Sequence, residues 1–185
     1  MAARTEHGII VQDTAWDGYE EIPAWIMQGY GTMAMEADDQ LHEDGCEAPT
    51  HVFIQAGVGS LAGAVQGYFA NRYPKTPPKV VVVEAEAAAC LYKGAAAGDG
   101  AIRIVDGDMP TIMAGLNCGE VNPDLFPVLR DYAAFYFACA DEVTEAGMRQ
   151  YADPLAGDTA IVAGESGAVG LGLLLSLRSE ERRVG

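Results

Sequence analysis

The chain has 185 residues, half of them hydrophobic and a fifth charged, a composition typical of a globular domain with a sizeable core. Its formal net charge of −16 excludes nucleic acid as a partner, because phosphate binding requires clustered Lys and Arg side chains. No apolar run approaches the roughly 18 residues of a membrane span and no secretory pattern opens the chain, so we expect a cytoplasmic protein without membrane contact. The four cysteines and three histidines show no metal-ligand spacing, and no metal site is predicted.

Apolar runs predict strands at residues 8–12, 52–56, 80–84, 101–105, 138–142 (a strand or a turn) and 160–163. Helices are predicted between them, at residues 24–44, 61–72, 86–92, 111–116, 123–135, 143–150 and 168–177. This alternation indicates an α/β fold with a mostly parallel sheet and helices on both faces. Ligands of such folds bind beyond the carboxyl ends of the strands, which directs attention to two turns, residues 57–60 and 164–167.

Both ends of the chain look atypical. Residues 178–185, RSEERRVG, join abruptly onto an apolar helix and resemble the translation of a sequencing adapter. We therefore treat them as a non-native tail, with a genuine charged helix end as the alternative, and residues 1–177 as one partial domain. The chain also enters its first predicted strand almost at once, which is expected of an internal piece of a longer protein.

The turn at residues 57–60 lies within the run QAGVGSLAGA, between a predicted strand and a predicted helix. Gly57 and Gly59 permit a sharp turn, and the N–H groups that follow would face outward at the positive end of the helix dipole, where a phosphate fits. Two alternatives stay open: a dinucleotide fingerprint with Glu84 as the ribose-binding acid, or a tight turn without a ligand. In the second turn, Ser166 either offers its hydroxyl to a ligand or caps the helix.

The chain resembles the diaminopropionate ammonia-lyases in four runs, QDTAWDGYEEIPAWIMQGY, PTHVFIQAGVGSLAGAVQGY, GDMPTIMAGLNCGE and GESGAVGLG. These enzymes belong to the fold-type II pyridoxal-phosphate enzymes, whose more distant members include threonine deaminase and tryptophan synthase β. The resemblance implies pyridoxal 5'-phosphate as the cofactor, a small amino acid as the substrate and a homodimer for the full-length enzyme. The reaction that it implies is an α,β-elimination that converts 2,3-diaminopropionate to pyruvate and ammonia.

The resemblance also implies roles for residues. It assigns the cofactor's phosphate to the backbone amides of Gly57, Val58, Gly59 and Ser60. It assigns the pyridine nitrogen to the hydroxyl of Ser166. Asp13, just after the first predicted strand, matches an acid implicated in proton transfer, chiefly for the D-isomer; a loop-opening turn is the alternative for this residue.

The lysine that carries the cofactor in this family lies on a segment with no counterpart here. Lys75, Lys79 and Lys93 all look like surface residues, so we expect no turnover from this chain alone. Cys90 and Cys118 are expected to approach one another near the mouth of the site, either as a redox pair or as buried thiols. Three other functions stay open: a nucleotide-binding dehydrogenase-like domain, an acidic interaction module, and another pyridoxal-phosphate lyase similar to threonine deaminase.

Overall fold

The computed structural model describes residues 8–184. Helices and strands alternate along this part of the chain, in the order α1 (Glu21–Glu43), β1 (His51–Gln55), α2 (Ser60–Arg72), β2 (Lys79–Ala85), α3 (Cys90–Ala97), α4 (Phe126–Tyr132), β3 (Phe135–Cys139), α5 (Asp141–Ala152) and α6 (Glu165–Val184). Two short 3-10 turns, Glu86–Ala88 and Ala114–Leu116, lie in the connections.

The three strands form one parallel sheet in the order β1–β2–β3. In the register, Val52 pairs with Val80 and Val82 pairs with Tyr136. The central strand β2 is buried at every residue after Lys79, as expected of a continuous run of valines that is covered on both faces. The α/β fold with a parallel sheet is therefore confirmed.

Each face of the sheet has its own apolar core. Because side chains alternate along a strand, Val80 and Val82 pack on one face with residues of α2, α3 and α4. Val81 and Val83 pack on the other face, against Val169 and further residues of α6. Helices therefore cover both faces, and the carboxyl ends of the strands are left for the loops.

Three predicted strands are wrong. Residues 8–12, 101–105 and 160–163 belong to no strand in the described part of the chain. Their apolar side chains remain largely exposed, with Ile9 at 77%, Ile104 at 57% and Val162 at 105% of the reference area. An apolar run becomes a strand only where a neighbouring strand completes its hydrogen bonds, and none of the described strands lies beside these runs.

Local hydrogen bonds hold the same three segments instead. The Tyr19 hydroxyl donates to the carbonyl oxygen of Ile10 at 2.8 Å. The Val105 N–H donates to the Gly119 carbonyl oxygen at 2.8 Å, which closes an irregular loop rather than a ladder. Residues 160–163 are connected to α5 in a similar way, through a single backbone hydrogen bond to Tyr151.

Several helix limits also differ from the prediction. The helix predicted at residues 123–135 is only α4, because the chain becomes extended at Ala133 and then enters β3, which replaces the strand or turn predicted at 138–142. The helix predicted at 111–116 is a single 3-10 turn, and the one predicted at 86–92 begins later, as α3. α6 begins at Glu165, within the predicted turn, and continues without a break past residue 177.

Candidate active site

A cavity of about 190 Å³ opens beside the carboxyl end of β1. It is lined by segments that are far apart in sequence, namely Asp13, Tyr30, Gln55, Ala56, Gly57, Val58, Gly59, Ser60, Leu61, Gly115, Leu116, Cys118 and Ser166. All six residues that the sequence singled out for the site are in this set. A parallel sheet places ligand sites in this position, because the loops that follow the strands converge there.

The loop between β1 and α2 forms one wall of the cavity. Gly59 has φ +95°, a conformation that an L side chain rarely adopts, and α2 begins at the next residue. A Cβ atom at Gly57 would lie 3.1 Å from the carbonyl oxygen of Gly115 and 3.3 Å from Sγ of Cys118. Glycine at both positions therefore keeps the backbone itself on the surface of the cavity.

The same loop presents free hydrogen-bond donors. Within residues 8–184, the N–H groups of Gly57, Gly59 and Ser60 donate to no protein acceptor. They lie at the amino end of α2, where the helix dipole favours an anion. A phosphate group fits this loop, because its oxygens would accept these hydrogen bonds without any side chain in the way.

Asp13 lines the cavity from the segment that precedes α1. The Tyr30 hydroxyl, from α1, donates to Oδ2 of Asp13 at 3.4 Å. Burial and the neighbouring Asp13 carboxylate raise the pKa of Tyr30 above its ordinary value of 10.0, so this phenol stays a donor. Tyr30 was not singled out from the sequence, where it appeared as one more residue of a long helix.

The Ser60 side chain points away from a potential anion. Its hydroxyl donates to the main-chain carbonyl oxygen of Asp13 at 2.8 Å and accepts a hydrogen bond from Nδ2 of Asn122 at 2.9 Å. Ser60 therefore offers only its backbone N–H to the cavity, while its side chain connects the loop to the Asp13 segment. Asn122 was also not anticipated from the sequence.

Ser166, the second residue of α6, also lines the cavity. A Cβ atom at Gly115 would lie 3.0 Å from the Ser166 hydroxyl oxygen, so these two residues are in close contact. The fully buried Thr144 of α5 donates from its hydroxyl to the carbonyl oxygen of Glu165 and so fixes the start of α6. The Ser166 hydroxyl therefore lines the same cavity as the glycine loop.

The segments of Cys90 and Cys118 do approach one another. Sγ of Cys90 lies 3.7 Å from the carbonyl oxygen of Cys118, and both cysteines are free. Burial raises the pKa of Cys90 to about 12, with a further contribution from Glu84, and burial also raises the pKa of Cys118. Both are therefore protonated thiols at neutral pH, which favours unreactive thiols, buried at Cys90 and half-buried at Cys118, over a redox pair.

Glu84 does not bind a ribose. Its carboxylate is fully buried and accepts hydrogen bonds from the N–H groups of Leu91 at 2.9 Å and Tyr92 at 2.6 Å. Burial raises the pKa of Glu84 to about 7 although these hydrogen bonds favour the anion. Because both carboxylate oxygens are occupied by the first turn of α3, the predicted dinucleotide fingerprint lacks its acid.

None of Lys75, Lys79 and Lys93 lines the cavity, and all three are exposed.

No helix within residues 8–184 is both long enough and apolar enough to cross a membrane. Among the same residues, no group of three or more His, Cys, Asp or Glu side chains is arranged to hold a metal ion.

Comparison with known proteins gives the context for this geometry. The chain is 50% identical over 176 residues to a diaminopropionate ammonia-lyase of Salmonella typhimurium, which is 95% of this chain and 44% of that protein. It is 48% identical over 184 residues to the diaminopropionate ammonia-lyase of Escherichia coli K12, covering 99% of this chain and 46% of that protein. The chain thus spans less than half the length of these relatives.

Solved structures agree with the sequence matches. Diaminopropionate ammonia lyase from Escherichia coli in complex with D-serine superposes with a TM-score of 0.81 at 45% identity, over 90% of this chain and 40% of that one. A fungal L-serine ammonia-lyase from Rhizomucor miehei superposes with a TM-score of 0.73 at 18% identity, over 96% of this chain and 51% of that one, which shows a shared fold. The family model described as pyridoxal-phosphate dependent enzyme matches residues 3–184. Because this match spans nearly the whole chain, the chain belongs to the family of pyridoxal-phosphate dependent enzymes.

Proposed function

We propose that this chain is part of an ammonia-lyase that converts 2,3-diaminopropionate and water to pyruvate and two molecules of ammonia. The observation that carries the proposal is the placement of the Asp13 carboxylate and the glycine loop on one cavity. The relatives that are about half identical to this chain are diaminopropionate ammonia-lyases, which supports the choice of substrate.

The cofactor supplies, when bound, an electron sink that makes the α-proton of an amino acid acidic. The free backbone N–H groups of Gly57, Gly59 and Ser60 would hold its phosphate, whereas the Val58 N–H donates to the Cys118 thiol. The Ser166 hydroxyl would hydrogen-bond its pyridine nitrogen. Both anchors line the one cavity and together would orient the ring. A neutral hydroxyl suits this position because it can either donate or accept a hydrogen bond.

Asp13 would act as a general base. A carboxylate held at the cavity wall can accept the α-proton of the substrate at Oδ1, while Oδ2 receives the Tyr30 hydroxyl. Loss of the α-proton and departure of the β-amino group as ammonia complete the elimination. Hydrolysis of the unsaturated amino acid that remains yields pyruvate and the second ammonia.

The proposal also covers the cellular compartment, the oligomeric state and the domain limits of the enzyme. We place the full-length protein in the cytoplasm and give it a homodimeric assembly. We also propose that residues 1–177 are a partial catalytic domain and that residues 178–185 are a non-native tail. Native mass spectrometry of the full-length enzyme tests the dimer.

The test uses a grafted enzyme, in which this chain replaces the 176 matched residues of the Salmonella typhimurium relative. Asp13→Asn should retain the visible absorbance of the bound cofactor, because the anchors at residues 57–60 and Ser166 are unchanged. Turnover should fall by about 10²–10⁴-fold, more for the D-isomer, because asparagine cannot accept a proton at neutral pH. Asp17→Asn is the matched control, since Asp17 is an exposed acid on the same segment and does not line the cavity.

Two results would contradict the proposal. If Asp13→Asn and Asp17→Asn turn over both isomers at equal rates, Asp13 is not the general base. Efficient elimination from threonine or serine, with no reaction of 2,3-diaminopropionate in the unmodified grafted enzyme, would favour a lyase similar to threonine deaminase instead.

A further inference from the structure

Asn122 lies just before α4, where three parts of the candidate site meet. Its side chain is completely buried, at 0% exposure. Nδ2 donates to the main-chain carbonyl oxygen of Asp13 at 2.6 Å and to the Ser60 hydroxyl oxygen at 2.9 Å, so both amide hydrogens are used. Oδ1 accepts a hydrogen bond from the Asp124 N–H at 3.0 Å, which orients the amide.

These contacts form a closed triangle. The Ser60 hydroxyl, which accepts from Asn122, donates in turn to the Asp13 carbonyl oxygen at 2.8 Å. The Asp13 carbonyl oxygen therefore accepts two hydrogen bonds, one from the glycine loop and one from the segment before α4. The triangle fixes the Asp13 backbone against the first residue of α2.

The backbone of Asn122 makes a separate connection. Its N–H donates to the carbonyl oxygen of Val58 at 2.7 Å, and its carbonyl oxygen accepts from the Phe126 N–H at 3.1 Å. These bonds hold the glycine loop through the main chain and do not depend on the side chain. Removal of the side chain would thus leave the Asp13 carbonyl oxygen with one of its two hydrogen bonds, from Ser60, while the glycine loop keeps its main-chain bond to residue 122.

We propose that Asn122 is a positioning residue that holds the Asp13 carboxylate at a fixed place relative to the phosphate-binding loop. This inference rests on the proposed function only for the role of Asp13 as a base. An amide suits position 122 because its Nδ2 supplies the two donors of the triangle while its Oδ1 accepts the Asp124 N–H that orients it. A displacement of about 1 Å of a catalytic group lowers a rate by roughly 10²-fold.

The variant Asn122→Ala in the grafted enzyme should lower turnover of 2,3-diaminopropionate by about 10–100-fold. The primary isotope effect with substrate deuterated at Cα should rise, because proton transfer then limits turnover, whereas a smaller folded fraction would leave this effect unchanged. The affinity for pyridoxal phosphate should stay within about threefold, since the backbone bond to Val58 remains. Asn71→Ala is the matched control, because Asn71 is exposed on α2 and hydrogen-bonds only its own helix, at the Gly67 carbonyl oxygen.

A second variant and a second measurement guard against failure to fold. Ser60→Ala breaks the triangle with a much smaller change in volume and should raise the isotope effect in the same direction. Hydrogen exchange on this chain without cofactor needs no activity: the Tyr19 amide, bonded to the Trp16 carbonyl oxygen at 2.7 Å, should exchange about tenfold faster in Asn122→Ala than in Asn71→Ala.

The outcomes separate this inference from the proposed function. An unchanged isotope effect in both triangle variants, or unchanged exchange of the Asp13 segment, overturns the role of Asn122 even if the unmodified grafted enzyme is active. If that enzyme binds the cofactor but does not react with 2,3-diaminopropionate, the proposed function fails while faster exchange in Asn122→Ala still supports the positioning of Asp13.

Discussion

Gly59 provides a direct test of the phosphate-binding loop. Its φ of +95° strains any residue with a side chain. A Cβ atom there would also lie 3.1 Å from Cδ1 of Leu129 and 3.4 Å from Cδ1 of Leu91, and both leucines belong to the buried core. Gly59→Ala should therefore strain the native loop by about 1–3 kcal/mol.

This strain translates into cofactor affinity. If the loop in Gly59→Ala relaxes to a different conformation, binding of the cofactor has to restore the one in which the free N–H groups converge. The free energy needed for this change weakens the binding of the cofactor by the same amount. Since each 1.4 kcal/mol corresponds to a factor of ten, Gly59→Ala should weaken the affinity for pyridoxal phosphate by about 5- to 140-fold. The measurement is a titration of the cofactor-free grafted enzyme with pyridoxal phosphate, followed by absorbance.

Gly67 supplies the matched control. It lies on the same helix, α2, and a Cβ atom there would meet no atom within 4 Å. Gly67→Ala should leave the affinity within about twofold and stabilise the helix by roughly 0.5–1 kcal/mol. If Gly59→Ala and Gly67→Ala bind the cofactor equally well, the loop does not bind the phosphate in the conformation described above.

Two further predictions concern buried carboxylates and use urea unfolding of this chain. Burial raises the pKa of Glu84 from 4.5 to about 7, so the folded state holds this proton more tightly than the unfolded state, and stability falls as the pH rises between these values. From about pH 5 to about pH 8 the free energy of unfolding should drop by roughly 2.5 kcal/mol more in the unmodified chain than in Glu84→Gln, and parallel pH curves would contradict this. Asp38, fully buried in α1, accepts hydrogen bonds from the Tyr73 hydroxyl at 2.5 Å and from Nε of Arg72 at 2.9 Å. Asp38→Asn should therefore destabilise the chain by about 1–3 kcal/mol, whereas Asp39→Asn, at the exposed neighbouring position, should not. Equal stabilities of the two variants would refute the role of these hydrogen bonds.

The fold could be predicted where apolar runs are buried on both faces. The strand predicted at residues 80–84 is β2, because four consecutive valines fit a strand covered on both sides. The strand predicted at residues 52–56 is β1, which is only partly buried at the edge of the sheet beside β2. The run at 101–105 has a similar composition, yet it forms a loop in which Ile104 is exposed. Strand propensity alone thus does not place a run of residues in the sheet. A strand also requires a neighbouring strand to pair with, and the local sequence does not specify where that neighbour lies.

The candidate site divides in the same way between local and distant signals. Gly57 and Gly59 could be singled out because conformational freedom belongs to the residue itself. Asn122 precedes a proline and an aspartate and is typical of a turn, and its Oδ1 does accept the Asp124 N–H. Its other partners, Asp13 and Ser60, lie 109 and 62 positions away, and no periodicity in one sequence reveals a contact of that kind. The local hydrogen bond to Asp124 accounts for Asn122 as a turn residue, so the sequence gives no sign that its side-chain N–H groups also reach Asp13 and Ser60. Only the folded chain shows that one amide makes the turn and connects the Asp13 segment to the glycine loop.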